Sequence, residues 1–75
     1  MKIYIDGEKP FQVGLDNFVI SPSNEEYILN YSADGYGYTA WEEAVPANEV
    51  LVVNGVPNGM YFKLIGNKSI LTLQG

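Results

Sequence analysis

Within the stretch "YSADGYGYTAW" (residues 31–41), Ser32, Asp34, Tyr36, Tyr38 and Trp41 gather the densest chemistry in the chain. A serine two residues from an aspartate could serve a catalytic loop. Three aromatic rings beside an Asp-Gly turn could stack on a sugar, anchor a partner protein, or simply shield a hairpin. Catalysis is constrained by what the chain lacks. It has no histidine and no cysteine, so neither a Ser-His-Asp nor a Cys-His arrangement can form. The same absence excludes disulfides and the usual zinc sites.

The carboxylates do not converge either. Glu25-Glu26 and Glu42-Glu43 are adjacent in sequence, and adjacent strand residues point to opposite faces, so neither pair can flank one bond. They read as solvated turn and edge charges. Calcium needs six to eight oxygens at fixed spacing, whereas Asp34-Gly35 offers one ligand and a turn, and Asp16-Asn17 adds little. No catalytic residue, metal site or cofactor is expected, and enzymatic activity is not expected.

The six tyrosines are more informative. Tyr36 and Tyr38 flank Gly37 beside the turn, and alternation would put both on one face. Tyrosine presents a large rigid ring and a hydroxyl at low entropic cost, which suits interfaces. Tyr36 and Tyr38 are therefore the expected partner-binding residues, with Asn58 of the "VPNGM" turn as a weaker third. Trp41 is expected to be mainly buried and to touch the facing sheet.

These residues need strands to hold them. Gly, Pro, Asn and Asp punctuate the chain about every 8–12 residues, and the intervals are rich in Val, Ile, Tyr and Phe, the pattern of an all-β sandwich or barrel. Expected strand segments are residues 2–5, 11–13, 17–21, 27–32, 38–43, 50–53, 60–65 and 69–73. Asp6-Gly7, Asp34-Gly35, the two Asn-Gly pairs of "NGVPNG" and Gly66-Asn67-Lys68 supply turns. Pro46 breaks pairing in the "VPANE" loop. Alternation predicts a core of Ile3, Ile5, Phe18, Ile20, Leu29, Tyr31, Trp41, Leu51, Val53, Phe62, Leu64, Leu71 and Leu73. No helix longer than a turn or two is expected.

Seventy-five residues form a single domain, 1–75, and below about 80 residues one core supplies only roughly 3–5 kcal/mol. Without disulfide or metal, tight packing or association with other chains must support it. The net charge is −5, and the four basic residues (Lys2, Lys9, Lys63, Lys68) are scattered. Neither nucleic acid nor an anionic membrane is an expected partner. The N-terminal apolar run is too short for a signal peptide, so a soluble protein made in a cytoplasm and read as a complete frame from Met1 to Gly75 is expected.

Two resemblances attach to these residues. Ser32 and Asp34 resemble the Asp-box of sialidase-like propellers, but Tyr36 stands where that motif has glycine and Trp41 comes too late. The hairpin "Y-S-x-D-G-x-x-x-x-x-W", continuing as "WEEAVPANEVLVVNGVPNGMYFKLIGN", resembles immunoglobulin-like and fibronectin-III-like modules. It is similar to short virion and head-fibre-associated proteins of tailed bacteriophages of gut bacteria, over roughly residues 31–73. That resemblance implies a small immunoglobulin/fibronectin-III-like β-sandwich of about six to seven short antiparallel strands. It also implies a structural role, with an auxiliary or decoration protein bound to the capsid shell after synthesis in the bacterial host cytoplasm. Its partners would be the major capsid protein or other virion proteins, with many copies per particle. The alternative is a carbohydrate-binding module in which Tyr36, Tyr38 or Trp41 stack on a surface glycan.

Overall fold

The computed structural model describes residues 2–75. The chain is all-β, with eight antiparallel strands in two four-stranded sheets. They are β1 (Lys2–Asp6), β2 (Phe11–Gln12), β3 (Phe18–Ile20), β4 (Ile28–Ser32), β5 (Thr39–Ala40), β6 (Leu51–Val53), β7 (Tyr61–Ile65) and β8 (Ile70–Gln74). One sheet runs β1-β8-β3-β6 and the other β2-β7-β4-β5. The count matches the eight segments expected from the turn spacing and exceeds the six to seven that the resemblance implies, although β2 and β5 are only two residues long.

The all-β sandwich expected from the turn spacing is therefore the architecture. Its connections follow a nested rule: β1 pairs β8, β2 pairs β7, β3 pairs β6 and β4 pairs β5. Pairs β3–β8 and β4–β7 then close this long folded hairpin into two sheets. Such nesting is the strand order of a jelly roll, whereas immunoglobulin sandwiches divide their strands ABED and CFG.

Alternation selects the core. Ile5, Phe18, Ile20, Val53, Leu71 and Leu73 point inward from one sheet, and Leu29, Phe62 and Leu64 from the other. Phe62 sits at the centre. Its ring meets Phe18 of the facing sheet edge-on at 5.4 Å and stacks on Phe11 at 5.8 Å. Ile3, Tyr31 and Leu51 are only half-buried. Tyr27, Val13, Val45 and Val56 are buried beyond the expected set. Val45 and Val56 come from segments that the turn residues mark as loops, and Val13 from the end of the expected strand 11–13.

The expected return strand 38–43 is shortened to Thr39–Ala40. Asn30 faces Ala40, whereas Tyr27, three residues earlier, faces Val45, five residues later. Trp41 N still donates to Leu29 O at 2.7 Å, and the excess leaves the ladder between residues 42 and 44. The physical reason lies in the charges: had alternation continued with Trp41 inward, Glu43 would also have pointed into the core, an uncompensated burial. Breaking the strand leaves both Glu42 and Glu43 in water. Trp41 consequently stands at the sheet margin, half-buried, and the aromatic rings it meets are Tyr31 at 5.2 Å and Phe62 at 5.8 Å, both of its own sheet. The expected burial of Trp41 is thus reached in part: it packs against the core cluster from the margin, while Phe62 holds the centre.

Candidate functional site

The register of β4 against β7 places Ser32 opposite Tyr61, so the chain leaving β4 and the chain entering β7 share one end of the sandwich. Loops 33–38 and 54–60 lie there together with loop 13–17. Val56 N donates to Asp16 O at 2.9 Å, Gly55 N to Asn17 Oδ1 at 3.1 Å, and Gln12 Nε2 to Gly59 O at 3.0 Å. Tyr36, Tyr38 and Asn58 are thus carried on two loops of one end.

Loop 33–38 is built around a single carboxylate oxygen. Asp34 Oδ1 accepts from Tyr36 N at 2.9 Å, from Ser32 Oγ–H at 2.8 Å and from Gly37 N at 3.2 Å. Ser32 Oγ in turn accepts from Gly35 N at 2.9 Å, and Ser32 itself is buried. Gly35 adopts φ +84°, and a Cβ there would lie 3.4 Å from the Tyr61 ring, so loop and sheet pack closely at a position suited to glycine. The donors from Tyr36, Ser32 and Gly37 hold the Asp34 carboxyl below the usual carboxylate range. An anion so satisfied is a loop clamp, and its depressed pKa makes it a poor proton acceptor near neutrality. The Ser-x-Asp pair that could have suggested catalysis serves the turn.

The clamp presents Tyr36, whose side chain is 91% exposed. Tyr38 behaves differently. It lies half-buried with Lys63 Nζ 5.0 Å from its ring centroid, a cation–π contact on the outer face of the sheet. Its hydroxyl, like Asn30 Oδ1, is shielded without a hydrogen-bond partner. Residues 33–38 are loop, so the period-2 rule does not place the two tyrosines; Tyr36 is free and Tyr38 is engaged with Lys63. Asn58 is exposed.

A shallow groove elsewhere is lined by Glu42, Glu43, Val45, Pro46, Glu49 and Leu51. It is open and acidic, and among the described residues no group of three or more carboxylates is placed to hold a metal ion. At the opposite end of the sandwich, sequence reading missed a buried polar knot. Asn67 is fully buried, donates from Nδ2 to Ser23 Oγ at 2.7 Å, and accepts from Ser69 N at 2.7 Å. Ser23 Oγ also accepts from Glu25 N, and Ser23 O from Asn48 N at 2.6 Å. This knot ties three loops together and has a structural task. Among the described residues, no helix is long and apolar enough to cross a membrane.

Comparison with known protein families, with curated proteins and with solved structures finds no match for this chain.

Proposed function

We propose that the chain is a structural binding module, an auxiliary protein that decorates the capsid shell of a tailed phage through protein–protein contacts. One observation carries the reading: Tyr36 stands free on a loop whose backbone is already fixed by three hydrogen bonds to one carboxylate oxygen. An exposed aromatic on an ordered loop can enter a partner's pocket without the cost of ordering that loop on binding. Multiple copies on a particle would compound a modest contact. Jelly-roll sandwiches recur in viral capsid and lectin domains, which is support by analogy of fold. The resemblance of residues 31–73 to phage virion proteins points the same way.

The carbohydrate-binding alternative calls for a row of exposed rings. Trp41 packs edge-on against Tyr31 and Phe62, and Tyr38 is engaged with Lys63. Tyr36 alone is left to stack on a sugar, so the geometry lends that reading less.

Tyr36→Ala is the cleaner test than a double variant, since Tyr38 also packs on the sheet. Truncating a central aromatic anchor commonly costs about 2 kcal/mol or more, so the variant should fold normally and lose attachment to assembled particles by roughly 30-fold. Asn58→Ala should weaken it less. Wild-type occupancy of Tyr36→Ala on the particle would overturn the assignment, and tight, selective capture by a glycan array would favour the alternative. The Asp34 clamp adds a pH signature. Its folded pKa is depressed, so the ordering it provides is present above the ordinary carboxylate pKa and is lost as pH falls through the folded value. Attachment should hold at neutral pH and weaken on acidification below that range.

A further inference from the structure

Strand β1 lies at the edge of its sheet and pairs with β8 on one side only. The phase of that ladder fixes which backbone groups face outward. Gly7 N donates to Ser69 O, directly beyond the register pair Asp6–Ile70. On β8, Thr72 exchanges hydrogen bonds with Ser21 on its other side, which turns the backbone of Leu71 and Leu73 toward β1. Partners in an antiparallel ladder alternate, so Ile3 and Ile5 bond β8. The N–H and C=O groups of Lys2, Tyr4 and Asp6 point away from the sheet. Asp6 O meets Lys9 N at 3.2 Å in the following turn. The side chains of Lys2, Tyr4 and Asp6 are all exposed, with Tyr4 at 70%.

The sequence of this edge, "KIYID", is complementary to itself when reversed. We propose that β1 pairs antiparallel with β1 of a second copy of the chain, about a two-fold axis through Tyr4. In that register Lys2 faces Asp6 of the second copy, where it would join the exposed ion pair that Asp6 Oδ2 already makes with Lys9 Nζ at 3.1 Å, Ile3 faces Ile5, and Tyr4 faces Tyr4. Every one of the five positions finds a favourable cross-strand partner. The outward-facing backbone of Lys2, Tyr4 and Asp6 falls where a two-fold strand pair requires its hydrogen bonds. Parallel pairing would instead set Lys2 on Lys2 and Asp6 on Asp6. An antiparallel slip by two residues would uncouple the charges from each other.

Charges on an edge strand usually deter pairing. Here they have opposite signs and lie equally far from the centre, so they oppose parallel pairing and reward one antiparallel register. The resulting contact is isologous, and it leaves the Tyr36 loop, on the other sheet, free.

One strand pair is smaller than a standard protein interface, so association should be weak. The test is sedimentation equilibrium on the purified chain from about 10 µM to about 1 mM, the range in which a weak dimer populates. Wild type should shift toward dimer, with slowed amide exchange at Tyr4 and Asp6 at the higher concentrations. Lys2→Asp and Asp6→Lys each set like charges opposite one another twice per dimer, and each should weaken association about tenfold. The double variant Lys2→Asp, Asp6→Lys restores opposite charges and should recover wild-type association. Both substituted positions are exposed, and the surface ion pair with Lys9 that Asp6→Lys gives up is worth little, so melting temperatures near wild type in all three variants confirm folding. Tyr36→Ala should leave self-association unaffected. A wild-type chain that stays monomeric at the highest concentration overturns the proposal, and so does a folded double variant that associates no better than the single ones.

Discussion

Tyr27 shows how a single buried polar atom shapes the behaviour of this domain. Its side chain is 1% exposed and its hydroxyl is shielded with no hydrogen-bond partner. Burial pushes the phenol pKa up to about 12, because the phenolate would lose its hydration. The folded value exceeds the unfolded value of about 10, so stability is fully present below pH 10 and is lost as pH rises toward 12. Tyr27→Phe removes the orphaned hydroxyl and keeps the ring. Replacing a buried polar group that has no partner is close to neutral or stabilising. The variant should melt at or above the wild-type temperature at pH 7, with its advantage growing by pH 11. A melting temperature several degrees lower at pH 7 would mean that the hydroxyl has a partner. Tyr36 and Tyr27 are chemically identical, and only their settings separate them. The Asp-Gly turn beside Tyr36 marks it as exposed in the sequence, whereas nothing near Tyr27 announces an unpartnered hydroxyl.

Among the elements, the loops at the two ends differ in how they are fixed. Loop 33–38 is held by its own aspartate, a local device. The opposite end is held by Asn67, which reaches Ser23 across 44 residues of chain. Asn67→Ala would strand Ser69 N and take one donor from Ser23 Oγ. Leaving such groups unsatisfied in a buried site costs about 1–3 kcal/mol, a large share of the roughly 3–5 kcal/mol that a core this small supplies. The urea midpoint should fall accordingly at unchanged slope, and a midpoint equal to wild type would mean that water replaces the asparagine. This contrast explains what could be read in advance. β1, β4, β7 and β8 were legible because five-residue alternation and Asn-Gly or Asp-Gly turns are local signals. Asn67 read as an ordinary turn residue because its partner is remote. The end of β5 was misread because the pattern of residues 38–43 continues the strand, while the register against β4 ends it. The Ser32–Asp34 pair was found, but its role as a clamp needed the loop geometry.

At the level of the whole molecule, the nested pairing makes the last strand the closing piece. β8 lies between β1 and β3 and is hydrogen-bonded to both. The partners it joins stand far apart in the chain, since Lys2 faces Gln74 and Ile3 faces Leu73. Long-range antiparallel pairing of this kind pays its loop-closure entropy before its contacts form, so folding should be slow for so short a chain. It also means that stability cannot be divided between the two sheets. Deleting residues 70–75 removes Leu71 and Leu73, both buried, and leaves β1 without any strand neighbour in its own chain. Loss of a buried leucine side chain alone costs about 2–5 kcal/mol, so losing two exceeds the roughly 3–5 kcal/mol available to a core of this size. The truncated chain should therefore lack the β-sheet circular dichroism signal and show no cooperative melt, while Tyr36→Ala, which touches neither sheet's interior, should retain both. A truncated chain that still melted cooperatively would show that the β2-β7-β4-β5 sheet holds a core by itself. In that case the jelly-roll closure would serve the edge strand β1 and its outward face more than the stability of the fold.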